Sequence, residues 1–183
     1  MLEHGFTVID LGITRLGPGP SASSTSTRES GGRLRNVDRT QFEALRDLPG
    51  KVIRGDMRFA KGRATAPVLT IDGVVIENQG GIDLRLNISF NPVTGAKSFN
   101  VHVPGLGPIC RLDVDGPAHR PAGRSHKHAL TSERCPDRNL PDRVADRPDL
   151  SGRSLADLFA EFCSMGGIEH QGTLIGPDSE GEP

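Results

Sequence analysis

The most regular stretch of the chain is 82–90. Ile82, Leu84, Leu86, Ile88 and Phe90 alternate strictly with Asp83, Arg85, Asn87 and Ser89. A period of two argues for a strand with one face buried and the other wet. A loop of turn residues, Asn91 to Gly95, follows, and 98–103 resumes the alternation with Phe99, Val101 and Val103 inward and Asn100 and His102 outward. A Gly/Pro-rich turn at 104–108 then leads into a strand over 109–115. Three successive strands on short connections predict an antiparallel meander. Upstream, 51–59 and 68–77 also read as strands, the second with an Asp72-Gly73 pair that predicts a tight hairpin turn.

Two segments change to helical spacing. In 36–48, Asp38 is the expected cap with Gln41 three residues on, Phe42 and Leu45 share a face, and Pro49-Gly50 ends the run. In 154–165, Ser154 and Asp157 have capping-box spacing, and Gly166-Gly167 supplies the stop. Leu155, Leu158, Phe159 and Phe162 form an apolar stripe that should cover the core face of the sheet. The predicted fold is therefore α+β: an antiparallel meander of about four to six strands packed against two helices, occupying 37–168. The segment 6–16 predicts a strand added to a sheet edge. The Ser/Thr/Gly run in 17–34 predicts a disordered linker, since it holds too little apolar surface to offset the entropy of ordering it. That makes 1–36 a flexible segment. An irregular, Pro-rich loop is expected from 129 to 152, and a flexible tail over 169–183.

Composition narrows the function classes. Only 34% of the 183 residues are hydrophobic, and there is no Trp or Tyr against 23 Gly and 14 Pro. One domain with a modest core is expected. The net charge of −1 argues against a protein that grips many phosphates. The three cysteines, Cys110, Cys135 and Cys163, are widely spaced and form no C-x-x-C, so a disulfide framework and a thiolate zinc site are not expected. No charged and apolar leader opens the chain, and no apolar run approaches the ~18 residues of a membrane span. The expected location is the cytoplasm.

Chemistry concentrates late in the meander. If Phe99, Val101, Leu112 and Val114 face the core, then Arg85, Asn87, His102, Arg111 and Asp113 share the other face. Such a face is either solvated or a site. His119, His126 and His128, half of the six histidines, follow within ten residues. In a strand, His126 and His128 project from one face, about 7 Å apart at the backbone. Three readings compete. A metal site would draw on His119, His126, His128 and Asp113, since imidazole is the commonest transition-metal ligand and three protein ligands leave an open position. Metal-free acid–base catalysis would use two imidazoles with a cation to hold a phosphoryl group; Arg120, Arg124, Lys127 and Arg134 make this segment locally basic. Finally, the segment is a solvated basic loop that binds a partner protein or nothing in particular. A pairing of Cys135 with a histidine is a weaker candidate. No phosphate-binding glycine loop and no nucleophile elbow are present.

The run Arg111-Leu-Asp-Val-Asp-Gly-Pro-Ala-His119, followed by His126-Lys-His128, resembles a small bacterial family of unknown function with an R-x-D-x-x-G-P-x-H element and an H-x-H strand. The likeness spans roughly 37–168. It departs after His128, where ALTSERCPDRNLPDRV replaces an aromatic, Gly-rich segment. Domains of this kind resemble those of bacterial conflict or toxin–antitoxin systems, which implies a nucleic-acid-directed role. Residues and resemblance together give the expectation of a ribonuclease-like phosphodiester hydrolase. His126 and His128 would be acid and base, His119 would assist, and Arg111 would contact phosphate. Lys127, Arg120, Arg124, His102 and Arg85 would bind substrate. The alternatives are a non-catalytic accessory protein that docks a partner through the same loop, and a divalent-metal site.

Overall fold

The computed structural model describes residues 39–62, 67–118, 122–128 and 144–177. The elements run α1 (Arg39–Arg46), β1 (Lys51–Arg54), β2 (Met57–Arg58), β3 (Ala60–Lys61), β4 (Leu69–Ile76), β5 (Leu84–Phe90), β6 (Lys97–Val103), β7 (Gly107–Val114), β8 (His126–His128), β9 (Val144–Asp146), a 3-10 turn (Pro148–Leu150), α2 (Leu155–Gly166), β10 (Ile168–Gln171) and β11 (Leu174–Ile175). The expected α+β architecture is present. Its main sheet is larger than expected, with seven strands in the order β3-β4-β5-β6-β7-β8-β9, every neighbouring pair antiparallel.

The strict alternation in β5 does what its period requires. Leu84, Leu86 and Ile88 are at most 1% exposed, and Phe99, Val101 and Val103 of β6 continue the same apolar face. Both helices close that face. Phe42 and Leu45 of α1 are fully buried, as are Leu158 and Phe162 of α2. Phe99 stacks on Phe162 with ring centroids 5.4 Å apart and on Phe159 at 6.4 Å. Ser154 caps α2 by accepting from the Asp157 amide at 3.1 Å, and Gly167 ends it in the left-handed conformation at φ 59°. The proposed cap of α1, Asp38, lies outside the described residues, as do 6–16 and the 17–34 linker.

Three expectations need correction. First, 68–77 is not a hairpin. It is one strand, β4, with a bulge where its register on β5 shifts between Ile71 and Val74. Gly73 takes the positive φ of 69° that the bulge requires, and its amide donates to Asn87 Oδ1 at 2.7 Å. An Asp-Gly pair suits a bulge as well as a turn. Second, 51–59 breaks into β1 and β2 at Gly55, where φ is 82°. Third, ordered structure continues past 168. The segment expected to be a tail supplies β10, which pairs parallel with β1, and β11, which pairs parallel with β2. The irregular loop likewise contains β9 and the 3-10 turn. Among the described residues, no helix is long and apolar enough to cross a membrane.

Cys110 and Cys163 are buried free thiols within the core cluster. Burial raises the pKa of both, that of Cys163 to about 12. Cys135 lies outside the described residues. Lys51 is also buried, which lowers its pKa, and its ammonium donates to the Arg46 carbonyl at the end of α1.

Candidate functional site

The polar face of the sheet is built by register. Two rows cross it. One runs Asn87, Asn100, Arg111, His128, and the next runs Ser89, Ser98, Asp113, His126. The expected parity therefore holds for Asn87, Arg111 and Asp113, and β8 extends the face with both imidazoles. Yet this region is not a solvated surface. Asp113 is 7% exposed, His128 8%, and His126 is fully buried.

Contacts of the residues that leave β7 and of those that enter β8 set this geometry. Asp115 adopts a left-handed φ of 55°, rare for a residue other than glycine. Its amide donates no bond to the strand ladder but reaches Ser125 Oγ at 3.1 Å. Its carboxylate accepts from Ser151 Oγ, from the Gly152 amide at 3.1 Å and from Lys97 Nζ at 3.3 Å. The Gly116 amide donates to the Arg124 carbonyl at 3.0 Å, and the Arg124 guanidinium donates to the Asp115 and Gly116 carbonyls at 2.8 and 3.2 Å. The left-handed aspartate thus ties the turn before β8 to the turn before α2. Asp115→Ala should lose about 1–3 kcal/mol in urea unfolding, and Asp115→Gly somewhat less, since glycine keeps the backbone but not the carboxylate. Wild-type stability in both would show that the carboxylate holds nothing.

Asp113 is the centre of the cluster. Its Oδ2 accepts from His128 Nε2 at 2.7 Å and from Arg111 Nε at 3.0 Å, and lies 3.6 Å from His126 Nε2. The imidazole centroids are 4.9 Å apart. Burial by itself raises the Asp113 pKa. The His128 hydrogen bond, the Arg111 charge and the Ser98 hydroxyl outweigh it and hold the carboxyl well below the ordinary carboxylate range. Asp113 is therefore an anion in a buried place. His126 Nδ1 is 2.9 Å from the Gly123 carbonyl. A carbonyl only accepts, so Nδ1 carries a proton, and Nε2 is the nitrogen on the Asp113 side.

One donor atom each from Asp113, His126 and His128 lies within 4.8 Å of the others. Ligands 2.0–2.1 Å from one tetrahedral ion sit roughly 3.4 Å apart, and the distances from Asp113 Oδ2, 2.7 Å to His128 Nε2 and 3.6 Å to His126 Nε2, bracket that spacing. The Gly123 carbonyl behind His126 stands where the outer partner of a metal-bound imidazole would stand. Three buried polar atoms on this face make no hydrogen bond among the described residues: Asn100 Oδ1, His102 Nδ1 and His128 Nδ1.

The structure separates the remaining candidates. Lys127 projects from the opposite face, in register with Leu112 and Ala145, and its charge acts on Cys110. It is not beside the imidazoles, because neighbours along a strand point oppositely. Arg124 is committed to backbone carbonyls. Arg85 and His102 face each other one row beyond Asn100. Arg85 bonds Asp83 at 2.5 Å and the Gly73 carbonyl at 3.3 Å. His102 is partly buried, which lowers its pKa. His119 and Arg120 lie outside the described residues. The residue that sequence reasoning undervalued is Ser98. Its place opposite Asp113 was implicit in the alternation of β6 but needed the register to be seen.

Comparison with protein-family models, curated proteins and solved structures finds no match to this chain.

Proposed function

We propose that this chain is a metal-binding domain whose centre is Asp113, His126 and His128, taking a divalent first-row transition ion such as Zn²⁺ or Fe²⁺. The observation that carries the reading is the convergence of one carboxylate oxygen and two imidazole nitrogens at a buried point. Two histidines and a carboxylate are a donor set suited to either ion, and three protein ligands leave an open position for chemistry. The cation would also balance the Asp113 anion, whose Oδ2 lies beside the Nε2 atoms of both imidazoles.

Metal-free acid–base cleavage of RNA draws less support. A general acid or base must come within hydrogen-bond reach of its substrate. Here His126 is fully buried, and His128 is bonded to the carboxylate. A phosphodiester substrate remains compatible with the metal reading, since a bound divalent ion can polarise a phosphoryl oxygen and generate hydroxide near neutral pH.

The test is metal content by plasma mass spectrometry after dialysis of the untagged chain against Zn²⁺ or anaerobic Fe²⁺, followed by gel filtration. The expected result is about one ion per wild-type chain, with at least a tenfold loss of affinity in His126→Ala and His128→Ala. Retention by those variants equal to wild type, or no retention by any form, would overturn the proposal. Circular dichroism of the variants distinguishes lost ligands from lost fold.

A further inference from the structure

A groove of about 340 Å³ opens beside the cluster, lined by Ser89, Asn91, Lys97, Ser98, Arg111 and Asp113 among others. Arg111 enters it differently from the other arginines of the sheet. Only its Nε is used, at 3.0 and 3.2 Å from the two Asp113 oxygens. Its terminal nitrogens, Nη1 and Nη2, make no hydrogen bond among the described residues, and its side chain is 36% exposed. The register places Asn100 on one side of Arg111 and His128 on the other, and each carries a buried polar atom without a partner. Asp113 thus joins the groove to the imidazoles.

The charge balance of the groove depends on the metal. Arg111 is paired with Asp113, and Lys97 with Asp115. These four charges cancel, so a divalent ion on the cluster leaves a local positive excess beside a guanidinium with both terminal nitrogens to spare. A planar guanidinium edge matches the paired oxygens of a carboxylate or a phosphate. A metal with an open position takes the same kind of oxygen. The groove volume lies in the range of small-molecule sites.

We infer that the groove receives an oxyanion, a phosphate or carboxylate group, held between the Arg111 terminal nitrogens and the ion on Asp113, His126 and His128. The inference rests on the metal reading above. It goes further in naming the substrate class and in making Arg111 the residue that recognises it. Arg85 and Arg124 do not share this role, since neither lines the groove and each already uses Nε and one terminal nitrogen on protein oxygens.

The experiment uses the Co²⁺-loaded full chain, whose visible spectrum reports the ligands of the ion, titrated with inorganic phosphate and separately with acetate. Wild type should show a saturable spectral change with at least one of the two anions, and the arm that saturates at lower concentration identifies the preferred group. Isothermal titration of the metal-free chain should show binding at least about tenfold weaker. Arg111→Gln should keep the Co²⁺ spectrum but lose about tenfold or more in anion affinity, while Arg111→Lys recovers only part of it. Unchanged anion affinity in Arg111→Gln, or no response to either anion in a wild-type chain with Co²⁺ bound, overturns the inference and leaves the metal centre standing. A chain that binds no Co²⁺ overturns the metal reading itself.

Discussion

Asp113→Ala is expected to lower the stability of the metal-free protein by about 2–4 kcal/mol, because it removes one member of a buried, hydrogen-bonded charge cluster. The His128 Nε2 donor and the Arg111 Nε donor both lose their acceptor, and His128 is too buried to find water in its place. Partial exposure of Arg111 keeps the cost below the upper end of what broken buried pairs show. Asp113→Asn keeps the volume and one acceptor oxygen, so it should cost less. The second half of the expectation separates structure from function. A ligand that binds only the native state at a hundred times its Kd adds about 2.7 kcal/mol. Zn²⁺ should therefore raise the melting temperature of wild type and leave that of Asp113→Ala unchanged. Urea unfolding with and without Zn²⁺ measures both. A variant with wild-type stability and an intact Zn²⁺ response would remove Asp113 from the site.

The other large effect is on the core side of the same strands. Phe99→Ala should cost about 3–5 kcal/mol, the range for truncating a buried aromatic. Phe99 is fully buried and is the ring on which both Phe159 and Phe162 stack, so its loss opens a cavity between β6 and α2 that neither neighbour can fill alone. Phe99→Leu should cost clearly less, because it leaves a smaller void. Phe99 also sits between Ser98, which lines the groove, and Asn100, which stands opposite Arg111 on the polar face. Loosening the core at this residue should therefore weaken metal binding without touching a ligand. A loss under 1 kcal/mol in Phe99→Ala would mean that α2 does not seal this face.

The parts of the fold legible in the sequence are those where period two is long. Leu84, Leu86 and Ile88 announce their buried face, and Phe99, Val101 and Val103 repeat it, so the meander and its polar reverse follow directly. Ser154 and Gly166-Gly167 mark α2 through capping chemistry that is local in the chain. The parallel partners were hidden because β10 and β11 are only four and two residues long, and their pairing with β1 and β2 joins residues more than a hundred positions apart. Gly73 was ambiguous, because a positive φ suits a hairpin and a bulge alike, and only the Asn87 contact from the next strand decides between them.

The candidate site was legible in kind. H-x-H on a strand places two imidazoles on one face, and the parity of β7 puts Arg111 and Asp113 on that face too. By the same rule Lys127 belongs on the opposite face, so its grouping with the histidines followed nearness in sequence rather than strand geometry. Burial was not legible. A polar face reads as solvated until the register shows Asp113 directly opposite His126, with Ser98 on its other flank.

The central claim is that Asp113, His126 and His128 share one ion. Diffraction from Zn²⁺-loaded crystals, recorded on both sides of the zinc absorption edge, tests it most directly. A single dispersive peak lying about 2.0–2.2 Å from Asp113 Oδ2 and from the Nε2 atoms of His126 and His128 is the predicted result. A peak at other residues, or none in crystals equilibrated with the ion, would contradict it.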